Sequence, residues 1–463
     1  MATPTNTHLL PLHMRLYKHA LESIFSHLCL SDVSRVSVVC RDWNAAVNSM
    51  RPTDATVVAR SGNLCALLNS RLSRHVSKFF WFHDRTDNLK VDSRISSLCS
   101  FIGLSKSLTT LGMWSNSLGD DNVVTLAEAI KQSRSLAMVN LNRNFIGVEG
   151  AIAIAEAIKQ CKSLSTVNLN DNSIGSVGAA AVAEAIKQSK SLTMVTLCNN
   201  TIGDAGASAI AEAIKQSTSL TTVDLGCNLI GPIGAVSLAQ AIIRVNLERN
   251  PIGDVGAVAI ADTLTSLAKV KFNFNSIGSI GAIAIARAIK LNKSLTAVDL
   301  NFNSIRIAGA VAIAELIRQS TSLAAVSLSH DGIGSKGAVA IADAIKQSNS
   351  LAMVDLSGNG IGSKGAVAIA DAIKQSTTLT EVRLVDNKIG RVGAFAIAEA
   401  IKQSTSLTAV YLGCNSIGDD GAASIAQAIR QSRSLTAVDL ECNPISAVSM
   451  AAITEAIQQK EIK

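Results

Sequence analysis

From about residue 108 onward the apolar positions recur with a period of 28, in the pattern SLxxVxLxxNxIGxxGAxAIAEAIKQS. Asparagine marks the register at Asn116, Asn144, Asn172, Asn200 and Asn228, then at Asn250 and Asn275. It resumes at Asn303, Asn359, Asn387, Asn415 and Asn443, with Asp331 in the one remaining slot, which makes thirteen units. In the unit that starts at Ser135, Leu136, Val139 and Leu141 face inward, and Met138, Asn140 and Asn142 alternate with them. This period of two predicts a short strand with one buried face. Asn144 follows where the strand ends, placed to bond backbone groups that the strand ladder no longer reaches. Repeated in each unit, it predicts a hydrogen-bonded ladder along the stack. Asp331 keeps the acceptor and loses the amide donors, so its repeat is expected to be weaker.

The segment IGxxGA adds an inward isoleucine (Ile146 in this unit) and glycines for a tight turn. The fourth residue after the asparagine is predicted as a helix N-cap in eight units: Asp120, Ser176, Asp204, Asp254, Ser279, Ser335, Ser363 and Asp419. The helix AIAIAEAIKQ then buries Ile154, Ala155 and Ile158. Acid-then-lysine pairs three residues apart, such as Glu156–Lys159, Glu184–Lys187 and Asp371–Lys374, mark its solvated face. A fixed period of this size predicts a solenoid whose units bury their apolar faces only against their neighbours. Strands separated by helices must run parallel. Strands spaced about 4.8 Å apart and helices spaced roughly 8–10 Å apart predict a bend, a horseshoe with a parallel sheet inside and helices outside.

The pattern LxxVxLxxN followed by IGxxGAxAIAEAI resembles the leucine-rich repeat, in its longer ribonuclease-inhibitor-like class. The resemblance covers residues 108–463 and implies an α/β right-handed leucine-rich-repeat solenoid that binds macromolecules. It implies no particular ligand.

The spacing shortens to 22 residues between Asn228 and Asn250 and to 25 between Asn250 and Asn275, and Pro232 and Pro251 fall there. This predicts a local kink or a break in helix stacking; the alternative is drift in a tolerant loop. Arg244, Arg249, Lys269 and Lys271 occupy outward strand or strand-end positions of two adjacent repeats, and Phe274 and Phe302 occupy equivalent strand ends. Arginine beside aromatics is the composition of interface hot spots. These six residues form the candidate partner-binding set for an acidic or phosphorylated segment; the alternative is a solvated set of charges. Asp224, Asp299, Asp355, Asp439 and Glu441 make the flanking inner face acidic.

The N-terminal region has a different composition and holds six of the seven histidines. Leu21, Ile24, Phe25 and Leu28 form a helical stripe. Ser31 or Asp32 begins a second helix, and Trp43, Ala46 and Val47 belong to a third. The segment IFSHLCLSDVSRVSVVCRDWN resembles the F-box at Ile24, Phe25, Leu28, Asp32, Val33, Val39, Cys40, Arg41 and Trp43. The family's opening Leu-Pro is present as Leu10 and Pro11, with extra residues before Ile24. The resemblance implies docking onto the Skp-type adaptor of a cullin–RING ubiquitin ligase, with Leu10, Pro11, Ile24, Phe25 and Leu28 as contact surface. The alternative is a plain helical cap on the first repeat. The expected domains are therefore 1–53, F-box-like; 54–107, a connector and degenerate capping repeat that packs Trp81 and Trp114; and 108–463, the solenoid.

Thirteen basic against seven acidic side chains lie in residues 1–107, while the rest is nearly balanced, 29 against 28. A phosphate-backbone binder wants a basic face, so no nucleic acid is expected. No apolar run of spanning length occurs and the N-terminus lacks a signal-peptide stretch, so no membrane partner and an intracellular location, cytoplasmic or nuclear, are expected. The nine cysteines form no CxxC pair and suit free thiols in a reducing compartment. No phosphate loop, HExxH or zinc-type spacing is present. The expectation is a non-enzyme with no metal and no cofactor. Two functional readings stand: a substrate receptor of an SCF-type ligase, or a scaffold, inhibitor or GTPase regulator that uses the repeats alone.

Overall fold

The computed structural model describes residues 55–60, 76–82, 91–290 and 292–461. The helices expected within 1–53 lie outside the described residues. The rest divides into two compact units: the first ends at Asn172 and takes back Gln188–Val195, and the second holds Ser173–Lys187 and everything from Thr196 onward.

In the first unit Ala55–Arg60, Val76–Phe82, Thr110–Gly112, Met138–Asn140 and Thr166–Asn168 are parallel strands paired in chain order. Helices Val91–Leu104, Asp120–Gln132 and Val148–Gln160 pack beside one another. The predicted inward residues Leu136, Val139, Leu141, Ile146, Ile154, Ala155 and Ile158 are all buried. Full burial of a Leu, Ile or Val side chain contributes about 1.5–3 kcal/mol, so each repeat has a core only because its neighbours cover it. Trp81 is buried at 1% exposure. Trp114 meets Phe80 edge-on, ring centroids 5.5 Å apart.

In the second unit strand Thr222–Asp224 pairs with Val245–Asn246. A seven-stranded parallel sheet then runs in chain order from Lys269–Lys271 to Ala437–Asp439. The first six of these strands each centre on a buried valine, from Val270 to Val410. The alanine-rich helices stack closely because the second glycine of IGxxGA has no side chain. A Cβ on Gly365 would stand 3.0 Å from the Ala338 Cβ of the preceding helix and 2.8 Å from the Ile361 Cβ.

The asparagine ladder forms as expected. Asn387, fully buried, accepts at Oδ1 from the N–H groups of Asn359 (3.0 Å) and Ile361 (3.3 Å). Its Nδ2 donates to the carbonyls of Leu356 (2.9 Å) and Val385 (3.1 Å). One amide thus serves backbone groups of its own turn and of the preceding rung.

Two expectations need correction. The residues predicted as N-caps cap no helix of their own: where the helix-start geometry is described, no side-chain cap bond is made. The aspartates reach one repeat forward instead. Asp120 Oδ1 accepts from Gly147 N–H (2.6 Å), and Asp204 Oδ1 from Gly231 (2.7 Å) and Gly234 (2.9 Å). Asp254 Oδ1 accepts from Gly278 (2.7 Å) and Gly281 (2.8 Å). An aspartate in the first turn of one helix thereby satisfies the free N–H groups at the start of the next.

The second correction concerns the short repeats. Helix stacking persists there, since Pro232–Leu238 packs on Gly253–Ala261 and that helix on Ser279–Ile289. The break is in the sheet: among the described residues no strand pairing joins Val245–Asn246 to Lys269–Lys271. The missing KQSxSL segment is replaced by a 3-10 turn, Ala239–Arg244, that enters the strand directly. Arg244 therefore ends that turn and is not a strand residue.

Candidate functional site

The residue immediately before each ladder position is held in the left-handed region, from Ser115 (φ 58°) to Cys442 (φ 55°). Only glycine adopts this conformation without cost. Here the ladder asparagine's bonds to the turn impose it on arginine, phenylalanine, histidine and cysteine alike. One consequence is geometric. Residues of identical conformation, one rung apart, project their side chains in the same direction, so within each unit the turn positions form a column beside the strand ends.

Within the second unit the column carries a continuous stack. The Arg249 guanidinium lies 4.4 Å from the centre of the Phe274 ring. Phe274 and Phe302 are parallel, 4.1 Å apart and 7° from coplanar. Phe302 and His330 follow at 4.5 Å and 14°. The stack ends on Gly358, where a Cβ would come within 2.3 Å of the His330 ring. Glycine in that slot leaves the imidazole free to lie over the next turn. Phe302 stays 41% exposed, and Arg249 and His330 are exposed.

The stack crosses the break in the sheet. On the near side Asn250 Oδ1 accepts from Asn228 (2.9 Å) and Ile230 (3.0 Å). On the far side Asn275 Oδ1 is buried with no hydrogen-bond partner. What joins the two rungs is the turn: Arg249 N–H donates to the Asn273 carbonyl (2.9 Å), Gly253 N–H donates to the Asn275 carbonyl (3.1 Å), and Arg249 covers Phe274.

Lys269 and Lys271 are exposed on either side of buried Val270, in the same repeat as Phe274. Lys271 stands in register with Asp299. Burial raises the Asp299 carboxyl above its ordinary range, against the lowering by the Asn301 N–H and Lys271. The sequence-selected residues Arg249, Lys269, Lys271, Phe274 and Phe302 thus share one stretch of the second unit, with Arg244 exposed at the end of the preceding 3-10 turn. Leu10, Pro11, Ile24, Phe25 and Leu28 lie outside the described residues.

Sequence reasoning missed His330 and Gly358. Reading the residue before each ladder asparagine as a column of its own, rather than as the end of a strand, would have aligned both with Phe302. Next to His330, Asp331 takes the ladder slot. Its Oδ1 accepts from Asn303 N–H (3.0 Å), and its Oδ2 is buried without a partner. Burial, aided by the Asp299 charge, pushes its carboxyl up to about 8 despite the N–H groups of Asn303 and Ile305.

Among the described residues, no group of three or more His, Cys, Asp or Glu side chains is placed to hold a metal. No described helix is long and apolar enough to cross a membrane.

The F-box domain model matches residues 10–54. The leucine-rich repeat model matches residues 160–183, 188–211, 216–239, 242–261, 291–314, 347–370, 375–398, 403–426 and 431–453. No curated protein matches this chain. Among solved structures, actin-binding site 2 of Leiomodin-1 is 17% identical over 34% of this chain and 90% of that one, with a TM-score of 0.29. The C-terminal domain of Caenorhabditis elegans tropomodulin is 15% identical over 33% of this chain and 93% of that one, with a TM-score of 0.30. Neither structure bears on what this chain binds.

Proposed function

We propose that this F-box and leucine-rich-repeat protein is a substrate receptor of an SCF-type cullin–RING ubiquitin ligase. The observation that carries the reading is the covalent joining of an F-box domain at residues 10–54 to an array of interaction repeats. The F-box docks the Skp-type adaptor through Leu10, Pro11, Ile24, Phe25 and Leu28, as apolar helix ridges set into a groove. The repeats hold the target protein. The chain does no chemistry itself; it raises the target's effective concentration beside a ubiquitin-loaded enzyme.

The target contacts Arg244, Arg249, Lys269, Lys271, Phe274 and Phe302. The rings of Phe274 and Phe302 spend their faces on each other, on Arg249 and on His330, so what they offer outward is their edges. Aromatic edges carry the positive part of the ring quadrupole. Together with two guanidinium and two ammonium groups they suit an acidic or phosphorylated segment.

Co-precipitation with a Skp-type adaptor tests the first half. The intact chain is expected to bind, and Ile24→Asp with Leu28→Asp is expected to abolish binding. If the intact chain fails to bind, the repeats act alone, as a scaffold, inhibitor or GTPase regulator. Once a target is identified, Lys269→Glu with Lys271→Glu is expected to weaken its binding at least tenfold, or about 1.4 kcal/mol. Unchanged affinity would move the target site elsewhere on the repeats.

A further inference from the structure

The column holds a second pair, outside the basic and aromatic stretch. Cys414 and Cys442 precede Asn415 and Asn443, in left-handed turns with φ of 56° and 55°. The two rungs are joined by Cys414 N–H donating to the Glu441 carbonyl (2.9 Å) and by Asn415 N–H donating to Asn443 Oδ1 (2.8 Å). Neighbouring rungs stand about 4.8 Å apart, within the Cα separation of roughly 4.4–6.8 Å that a disulfide spans. Matching turn geometry aims both side chains the same way from adjacent rungs. Both residues are exposed, whereas Cys161 is buried and Cys99, Cys198 and Cys227 are half-buried. Cys198 and Cys227 sit in adjacent repeats but one turn position out of step, with Cys198 two residues before its asparagine and Cys227 one.

We propose that Cys414 and Cys442 form a reversible dithiol site, oxidised by a hydroperoxide to a disulfide between two rungs of the solenoid. The thiolate of one cysteine attacks a peroxide oxygen; the O–O bond breaks, the departing oxygen leaves as water after protonation, and that cysteine becomes a sulfenic acid. The other sulfur then attacks the oxidised sulfur; the S–O bond breaks, a second water leaves and the S–S bond forms. In balance, two thiols give up two electrons and two protons, and hydrogen peroxide becomes two waters. The neighbouring Cys442 thiol, with the nearby Asp386 and Asp439 charges, raises the Cys414 thiol above its usual range. A cellular dithiol reverses the step by exchange.

The Cβ atoms start at about the rung spacing and must approach to roughly 3.8 Å. The bond therefore forms with some strain, which suits a labile, reducible link and not a permanent staple.

The test treats the full chain with hydrogen peroxide, blocks remaining thiols and maps peptides by mass spectrometry. The expected result is a peptide linking Cys414 to Cys442, lighter by two hydrogens and released by dithiothreitol. In Cys414→Ser or Cys442→Ser the link is absent and a dimedone-trapped sulfenic acid appears at the remaining cysteine. Phenylarsine oxide provides a probe that needs no oxidant: both thiols should add to one arsenic with loss of water, and Cys414→Ser or Cys442→Ser should abolish this retention. If peroxide carries either thiol to sulfinic acid without producing the linked peptide, or if neither thiol reacts, the proposal is overturned.

Discussion

Two stretches of the second unit follow one repeat and are held together differently. From Asn359 to Asn443 the spacing is a constant 28, adjacent strands pair throughout, and each ladder amide serves its own turn and the rung before it. Between Asn228 and Asn303 two repeats are short, the strand pairing lapses once and Asn275 Oδ1 has no partner. The helices stay packed and the turns stay bonded, so the stack continues through its outer layer and its rim. A solenoid has three parallel sets of neighbour contacts, in sheet, turn and helix, and can lose part of one at a single rung. Where the sheet contribution is missing, arginine and two aromatic rings stand in the turn column, and the candidate target surface is located there.

The largest expected effect contrasts ladder amides in the two stretches. Asn387→Ala strands buried N–H groups of Asn359 and Ile361 and two carbonyls, each orphaned group costing about 1–3 kcal/mol. A loss on the order of 4 kcal/mol is expected in chemical denaturation. Asn275 makes one side-chain bond, from Nδ2 to the Asn273 carbonyl at 3.0 Å, so Asn275→Ala should cost about 1 kcal/mol. Equal losses at the two positions would mean that the ladder is not interrupted at the short repeats.

Next is Asp331, the acid in an amide's slot. Its folded pKa, about 8, lies well above the ordinary carboxyl value of 3.8. Below about pH 4 both folded and unfolded chains hold the proton, and this group's contribution to stability is fully present. As pH rises through the interval to about 8 the unfolded chain loses the proton first, so stability falls; above about 8 the dependence levels off. Asp331→Asn restores the donors and should remove this slope, with a gain of about 2 kcal/mol at neutral pH. Denaturation midpoints at pH 5, 7 and 9 for both proteins check it; a variant with the same slope as the parent would assign the dependence to other groups.

The third tests whether the turn column holds the short repeats. A double-mutant cycle of Arg249→Ala and Phe274→Ala is expected to show a coupling of about 0.5–1 kcal/mol in stability. Zero coupling would leave the backbone bonds of the turn as the whole link. The smallest effect is at Arg306, which stands at φ 56° in the slot that is left-handed glycine in Gly334, Gly362 and Gly390. Arg306→Gly relieves a side-chain clash and adds unfolded-state freedom, for a net stabilisation of about 0.5 kcal/mol. Destabilisation would show that the arginine makes a contact worth more than its strain.

Much of this was legible in the sequence. A strict 28-residue period with leucine, valine and isoleucine at set offsets leaves one way to bury them, and the asparagine at the strand end was correctly read as a ladder. The aspartates were read to the wrong helix because capping rules are local, whereas Asp204 and Asp254 serve groups 24 to 30 residues away. The shortened repeats were visible as spacing. Whether helix, sheet or turn would give way was not, because the outcome depends on three sets of contacts competing at one rung.

The sequence by itself determined the repeat, its inward face and the family to which its two parts belong, since periodicity and burial are properties of each unit. Only the tertiary structure decided which side chains touch: Arg249 with Phe274, His330 over Gly358, Cys414 beside Cys442. These partners stand 25 to 28 positions apart in the chain. They meet because one turn conformation, imposed by the ladder, is stacked rung upon rung.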